Sequence, residues 1–167
     1  MKYLFVILFV LIYIFFDVSL GYTTNSPMYA HLTFMFQHAG FIHLTINSLS
    51  FLSIFRILEK CISKYYLVII IVSSSYIASF LSVYDTPTVG ASGMVYAMIG
   101  IYIVFIAKKR LIIKDKDKFS IFLISVALCL ALSYFKTNSN FFMHLYSLLI
   151  GMVSAVIMSI YQTTGKI

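Results

Sequence analysis

The chain is poor in charge. Only 10% of its 167 residues are Asp, Glu, Lys or Arg, and five of these are acidic. A soluble domain carries roughly 25% charged residues. With so little charge the chain cannot cover itself in water, which excludes a soluble globular domain, a disordered segment and a solvated coiled coil. Its two cysteines, Cys61 and Cys129, sit in or beside apolar runs with no CxxC or CxxCH spacing. A disulfide-stapled secreted module is thereby excluded, and both read as small apolar residues. The strictly alternating segments of about 10 residues that mark a membrane β-barrel are also missing.

What is present is long apolar runs. Apolar residues make up 62% of the chain, and mean hydropathy is +1.01. This is the composition of an integral, all-α membrane protein, and the length suits a single domain spanning 1–167. A spanning helix needs about 20 apolar residues, so six is near the ceiling and the loops must be short. Runs at about 3–20, 38–58, 62–83, 89–107, 119–135 and 141–161 predict six spans. The first is long for a signal-peptide core, and Ser19-Leu20-Gly21 matches a cleavage site poorly, so an uncleaved helix is expected. The longest connection, 21–37, opens polar and ends aromatic, as an interfacial segment does.

The net charge of +7 reports topology rather than nucleic-acid binding, because the basic residues sit in short loops between apolar runs. With six spans, Lys2, Arg56, Lys60, Lys64, Lys108, Lys109, Arg110, Lys114, Lys116, Lys118 and Lys166 fall on one side, and Lys136 alone on the other. The positive-inside rule then places both termini in the cytoplasm.

Polar groups at membrane depth are costly, so each is a functional candidate. The fourth run opens with Gly90-Ala91-Ser92-Gly93. A helix starting at Ser92 has about 16 residues, or about 24 Å, short of the roughly 30 Å hydrocarbon core. Its start is expected below the membrane surface, against protein or a water-filled cavity. A serine there has unpaired backbone N–H groups and the positive end of the helix dipole beside it, a place to hold an oxyanion. The plainer reading is an N-cap with packing glycines. His144 lies in the sixth run. It is either a general base for Ser92 or an interhelical hydrogen bond. Ser147 and Gly151 follow it at i+3 and i+7 and would let this face pack on Gly93, Ala97 and Gly100. His43 and Asn47, four apart, share one helix face and are either donors to an oxyanion or interhelical glue.

The histidines His31, His38, His43 and His144 also invite a metal reading, but there is no HExxH, and zinc needs three or four convergent ligands. All five acids (Asp17, Glu59, Asp85, Asp115, Asp117) sit at run ends or in loops. A serine enzyme built from this chain would therefore use a dyad, with no metal and no cofactor.

Three separated motifs, in order, resemble the rhomboid family of intramembrane serine proteases. Phe36-Gln37-His38-Ala39-Gly40-Phe41-Ile42-His43-Leu44-Thr45-Ile46-Asn47 resembles the family's second helix. Gly90-Ala91-Ser92-Gly93 with Tyr96 resembles its nucleophile motif, and His144 with Ser147 and Gly151 its sixth-helix motif. The resemblance runs from about His31 to Gly151. It implies a six-transmembrane-helix rhomboid-like bundle in which Ser92 is the nucleophile and His144 the base. It further implies an oxyanion hole of His43, Asn47 and the Ser92 backbone N–H, with Tyr96 packed on the His144 ring. Gly90 and Gly93 would support the dyad. Glu59 would be a structural acid at the cytoplasmic end, and His38 would tie down the first connection. The expected partners are transmembrane protein substrates within the lipid bilayer, with no nucleic acid and no required oligomer. The expected location is a bacterial plasma membrane, multi-pass, with the site opening to the extracytoplasmic side. The chain departs from the family pattern at Tyr29-Ala30, where Trp-Arg is usual, and at Met143 and Ser147, where Ala and Gly are usual. Two other readings belong to different classes: a non-catalytic rhomboid-like protein that binds transmembrane helices, and a small transporter using His144 as a proton relay.

Overall fold

The computed structural model describes residues 1–16, 19–82, 85–108, 111, 116–135 and 139–163, with the backbone alone for Lys116, Lys118 and 161–163. Asp17, Lys109, Arg110, Lys114, Asp115, Lys136 and Lys166, used above for topology or acid placement, lie outside the described residues.

Among the described residues seven helices follow in order: α1 Lys2–Phe15, α2 Ala30–Thr33, α3 Phe41–Leu58, α4 Lys64–Leu81, α5 Ser92–Ala107, α6 Lys116–Phe135 and α7 Phe141–Thr163. Among the described residues there is no strand, only an isolated antiparallel pairing of Tyr22 with Thr88. Phe41–Leu58, Lys64–Leu81 and Phe141–Ile160 are long and apolar enough to cross a membrane; Lys2–Phe15, Ser92–Ala107 and Phe119–Phe135 are shorter apolar helices.

The first helix stops at Phe15 rather than near Leu20, because Phe16 turns to extended backbone (φ −110°, ψ 107°). Both backbone groups of Leu20 are then taken by the following connection. Gln37 Oε1 accepts its N–H at 2.6 Å, and the Thr33 hydroxyl donates to its carbonyl at 3.1 Å. α3 starts at Phe41, after an extended Gly40, so His38 and Ala39 precede the helix.

α5 is the centre of the bundle. It is apolar all round, as a helix enclosed by others must be, and every residue from Gly93 to Ile101 is buried. It packs against α3, α4 and α7, while α1 lies on α3, α2 on α4 and α6 on α7. The α5–α7 contact is close because small residues face each other. A Cβ on Gly151 would run into the Ala97 carbonyl, and one on Gly100 into the Leu148 carbonyl. In a membrane, where lipid offers apolar contact equally well, such close packing is what holds helices together.

The outside of the bundle is apolar. Leu4, Ile7, Ile46, Ile69, Ile124 and Val153 are all exposed, and a girdle of this extent marks a membrane-facing surface. At one end Lys2 forms an ion pair with Glu59, which fixes the start of α1 beside the end of α3.

Candidate active site

Ser92 is the first residue of α5, and the cap residue before it is Ala91, which contributes no side-chain bond. The Ser92 hydroxyl therefore does not serve as an N-cap. Its Oγ lies 2.9 Å from His144 Nε2. Tyr96, one turn further along α5, stacks on the His144 ring with centroids 4.6 Å apart and planes 25° from parallel. Both dyad side chains are half-buried. The small-residue contact of α5 with α7 sets this geometry, since it brings the helix bearing the hydroxyl and the helix bearing the imidazole to near backbone contact.

The turn entering α5 is held by the long first connection. Tyr22 and Thr88 exchange backbone hydrogen bonds of 3.2 and 3.0 Å, and Gly90 N–H donates to Phe34 O at 2.9 Å. Ala91 N–H donates to His38 Nε2 at 3.4 Å. His38 thus ties the end of the first connection to the turn before Ser92. Gly90 has φ +122°, a conformation L side chains rarely adopt. It also leaves room for the third helix: a Cβ there would lie 2.7 Å from His43 Cε1 and 3.7 Å from Asn47 Nδ2. The α3 side chains are therefore aimed at the turn that carries Ser92.

The hydrogen bonds also select the state of those two side chains. Ala39 N–H donates to His43 Nδ1 at 3.4 Å. A neutral His43 ring then carries its proton on Nε2, the atom nearer Gly90. Asn47 is buried, and its Nδ2 donates to the His43 carbonyl at 3.0 Å. That bond holds one amide hydrogen and orients the other. The first N–H groups of α5 have no intrahelical acceptor. The α3 side chains thus lie beside the turn that leads into the paired serine hydroxyl and imidazole.

Gly93 accommodates its neighbours: a Cβ there would meet Met143, Ser75 and Ser147. Met143, the departure beside the histidine, is buried, and its Sδ receives Ser82 Oγ at 3.6 Å and Ser147 Oγ at 3.9 Å. It fills the space over Gly93. Tyr29, the other departure, is exposed, while Ala30 is buried. The connection is anchored instead by His31, whose Nδ1 lies 2.9 Å from Ser79 Oγ and whose ring stacks on Phe80 at 4.1 Å. Among the described residues no three His, Cys, Asp or Glu side chains group as metal ligands.

Three residues at the site were not singled out in the sequence. Ser133 lies beside His144, and Ser139 beside Ser133. Asn140 caps α7, its Oδ1 accepting Met143 N–H at 3.0 Å. The Asn140 Nδ2 lies 3.1, 2.8 and 3.0 Å from Tyr22 Oη, Ser82 O and Thr88 Oγ1. Burial pushes the Tyr22 hydroxyl up to about 12, so it stays protonated and donates to Ser82 O at 3.1 Å. One asparagine thus ties the first connection, the end of α4 and the turn before α5 to the start of α7. Asn140→Ala should lose a cap worth about 1 kcal/mol and strand buried partners at about 1–3 kcal/mol. Asn140→Asp keeps the cap oxygen but sets a second oxygen against the Ser82 carbonyl where Nδ2 donates, so it should be no more stable than alanine. Thermal unfolding in detergent checks the order; equal stability of all three would contradict it.

An all-helical membrane bundle with a serine hydroxyl paired to an imidazole defines a class of protein, and sequence comparison gives the family. The rhomboid domain matches residues 25–161, and the chain belongs to the rhomboid family. It is similar to a Bacillus subtilis (strain 168) protein named "Putative rhomboid protease YdcA", with 28% identity over 140 residues covering 79% of this chain and 69% of that protein.

Proposed function

We propose that this protein is an intramembrane serine endopeptidase that cleaves transmembrane segments of other membrane proteins. The observation that carries the reading is the 2.9 Å contact between Ser92 Oγ and His144 Nε2. His144 takes the Ser92 proton as Oγ attacks the scissile carbonyl, then gives it to the leaving amine; water, activated by the same imidazole, releases the acyl group. His43 Nε2–H, Asn47 Nδ2–H and the Ser92 backbone N–H would receive the oxyanion. Tyr96 and the packing of α7 orient the imidazole without a carboxylate. The half-buried state of both dyad side chains supports access for water and for a substrate backbone.

The single domain sits in the bilayer as six spans, α1 and α3 to α7, in a bacterial plasma membrane. The Lys2–Glu59 pair supports placing the start of α1 and the end of α3 on one face. The distribution of Lys and Arg makes that face cytoplasmic, with both termini there and the dyad opening to the other side. The substrate helix must unwind locally to present its bond, so helix-weakening residues near the cut are expected. No cofactor, nucleic acid or second copy enters the scheme.

A fluorophosphonate tests the nucleophile without a known substrate. The wild type should gain one adduct, mapped to Ser92 by peptide mass spectrometry, and His144→Ala should gain almost none. An intact, folded wild type that is never labelled would favour a helix-binding protein without catalysis.

A further inference from the structure

The dyad has a third partner on another helix. His144 Nδ1, the ring nitrogen opposite Ser92, lies 2.9 Å from Ser133 Oγ, and Ser133 Oγ lies 2.6 Å from Ser139 Oγ. Ser133 is on α6, whose outer residues Ile121, Ile124, Leu128, Leu132 and Phe135 are exposed. Ser133 is the one buried side chain among the described residues of that helix. Where Phe122, Val126 and Leu130 are only partly buried, this one hydroxyl is turned fully inward, onto the imidazole. Resting on the protease reading above, we propose that Ser133, backed by Ser139, is a positioning residue that fixes the tautomer of His144 and supports its protonated form.

Two proton arrangements fit these distances. In one, Ser139 donates to Ser133 and Ser133 donates to Nδ1; the ring proton is then on Nε2, and His144 cannot accept from Ser92. In the other, Nδ1–H donates to Ser133 Oγ and the Ser133 hydroxyl donates to Ser139 Oγ. Nε2 then presents its lone pair to Ser92, as a base requires. The second arrangement also suits the imidazolium that forms when Nε2 takes the Ser92 proton, because Ser133 already accepts from Nδ1–H. The first would leave two hydrogens opposed. Among the described residues no carboxylate is bonded to Nδ1: Glu59 is paired with Lys2 at the bundle's end, and Asp85 accepts from Thr24 at 2.9 Å. The Tyr96 ring is stacked upon the imidazole. Ser133 thus does for orientation what an acid does in a triad, with a dipole in place of a charge.

A hydrogen bond to a group that becomes charged is worth roughly 10- to 100-fold in rate. Ser133→Ala should lower kcat by about that factor with KM unchanged, and slow fluorophosphonate labelling of Ser92 by the same factor. Ser133→Thr, which keeps Oγ, should recover most of both, and Ser125→Ala, on the outer part of the same helix, should match wild type. The ¹⁵N spectrum of imidazole-labelled protein should show Nδ1 protonated in wild type and Ser133→Thr, and a mixture in Ser133→Ala. A wild-type rate and an unchanged tautomer in a folded Ser133→Ala would overturn the proposal. So would an equal loss in Ser133→Thr with normal melting, since that would mark a packing role. A wild type that is never labelled at Ser92 would defeat the protease reading itself, whereas loss of the inference alone leaves wild-type labelling intact.

Discussion

Ser92→Ala and His144→Ala are each expected to remove turnover by a factor on the order of 10⁴ or more, and the double variant should be no worse than either. In the proposed mechanism the hydroxyl and imidazole act as one unit. Without Nε2 at 2.9 Å, the Ser92 proton has no acceptor, and an alcohol at its ordinary pKa is a weak nucleophile. Without Oγ, the imidazole has nothing to activate except water, which has no fixed position for attack. The rate left in either case comes from the oxyanion donors and from substrate binding, both of which the double variant keeps. Ser92→Ala should change stability little, whereas His144→Ala, which also loses the bond to the buried Ser133 and the stacking on Tyr96, should melt lower while remaining folded. Single-turnover cleavage by the three variants, with melting temperatures alongside, measures this. Additive losses would mean that the two residues contribute separately and that the contact is structural.

Asn47→Ala is expected to cost about 10²–10³ in kcat with little change in KM. The magnitude follows from where the amide points. Its Nδ2 gives one hydrogen to the His43 carbonyl one turn back, which fixes the carboxamide plane, and a Cβ on Gly90 would lie 3.7 Å from that nitrogen. The second hydrogen is thereby directed at the turn carrying Ser92. A donor of this kind acts where charge develops, so it stabilises the tetrahedral intermediate more than the planar carbonyl. Asn47→Asp should be worse than alanine, because it sets a carboxylate against the oxyanion. A loss confined to KM, or an active Asn47→Asp, would assign Asn47 to substrate binding or to helix packing instead.

Much of this arrangement is legible in the residues. The apolar runs announce the helices, and the small residues Gly93, Ala97, Gly100, Ser147 and Gly151 announce which two lie close. Their contact accounts for how Ser92 and His144, 52 positions apart, come to meet. The 16-residue α5 starts where Gly90 and Gly93 suggest. The helix ends are less legible. The run 3–20 is apolar apart from Asp17 and Ser19 near its end, yet α1 ends at Phe15, and Leu20 is held instead by Gln37 and Thr33, tertiary bonds of which hydropathy carries no trace. Asn140 left a local signal, an Asn just before an apolar run and three before an N–H it caps. Its partners Tyr22, Ser82 and Thr88 are distant in sequence and left none. Ser133 is harder still. A serine in a membrane helix ordinarily bonds its own backbone, as Ser125 does with Ile121. Only the packing of α6 against α7 shows that Ser133 faces His144 instead. His31 is instructive in another way: as one of four histidines it invited a metal reading, but its ring is engaged by Ser79 and Phe80 and anchors the first connection.

The most direct measurement is cleavage of a tagged single-span protein in liposomes by wild type and by Ser92→Ala, with the products mapped by mass spectrometry. The account predicts that wild type alone cuts, at one bond in or near the transmembrane segment and within a helix-weakening stretch. Cutting by Ser92→Ala at the same bond, or a wild-type cut only in the soluble tag, would contradict it.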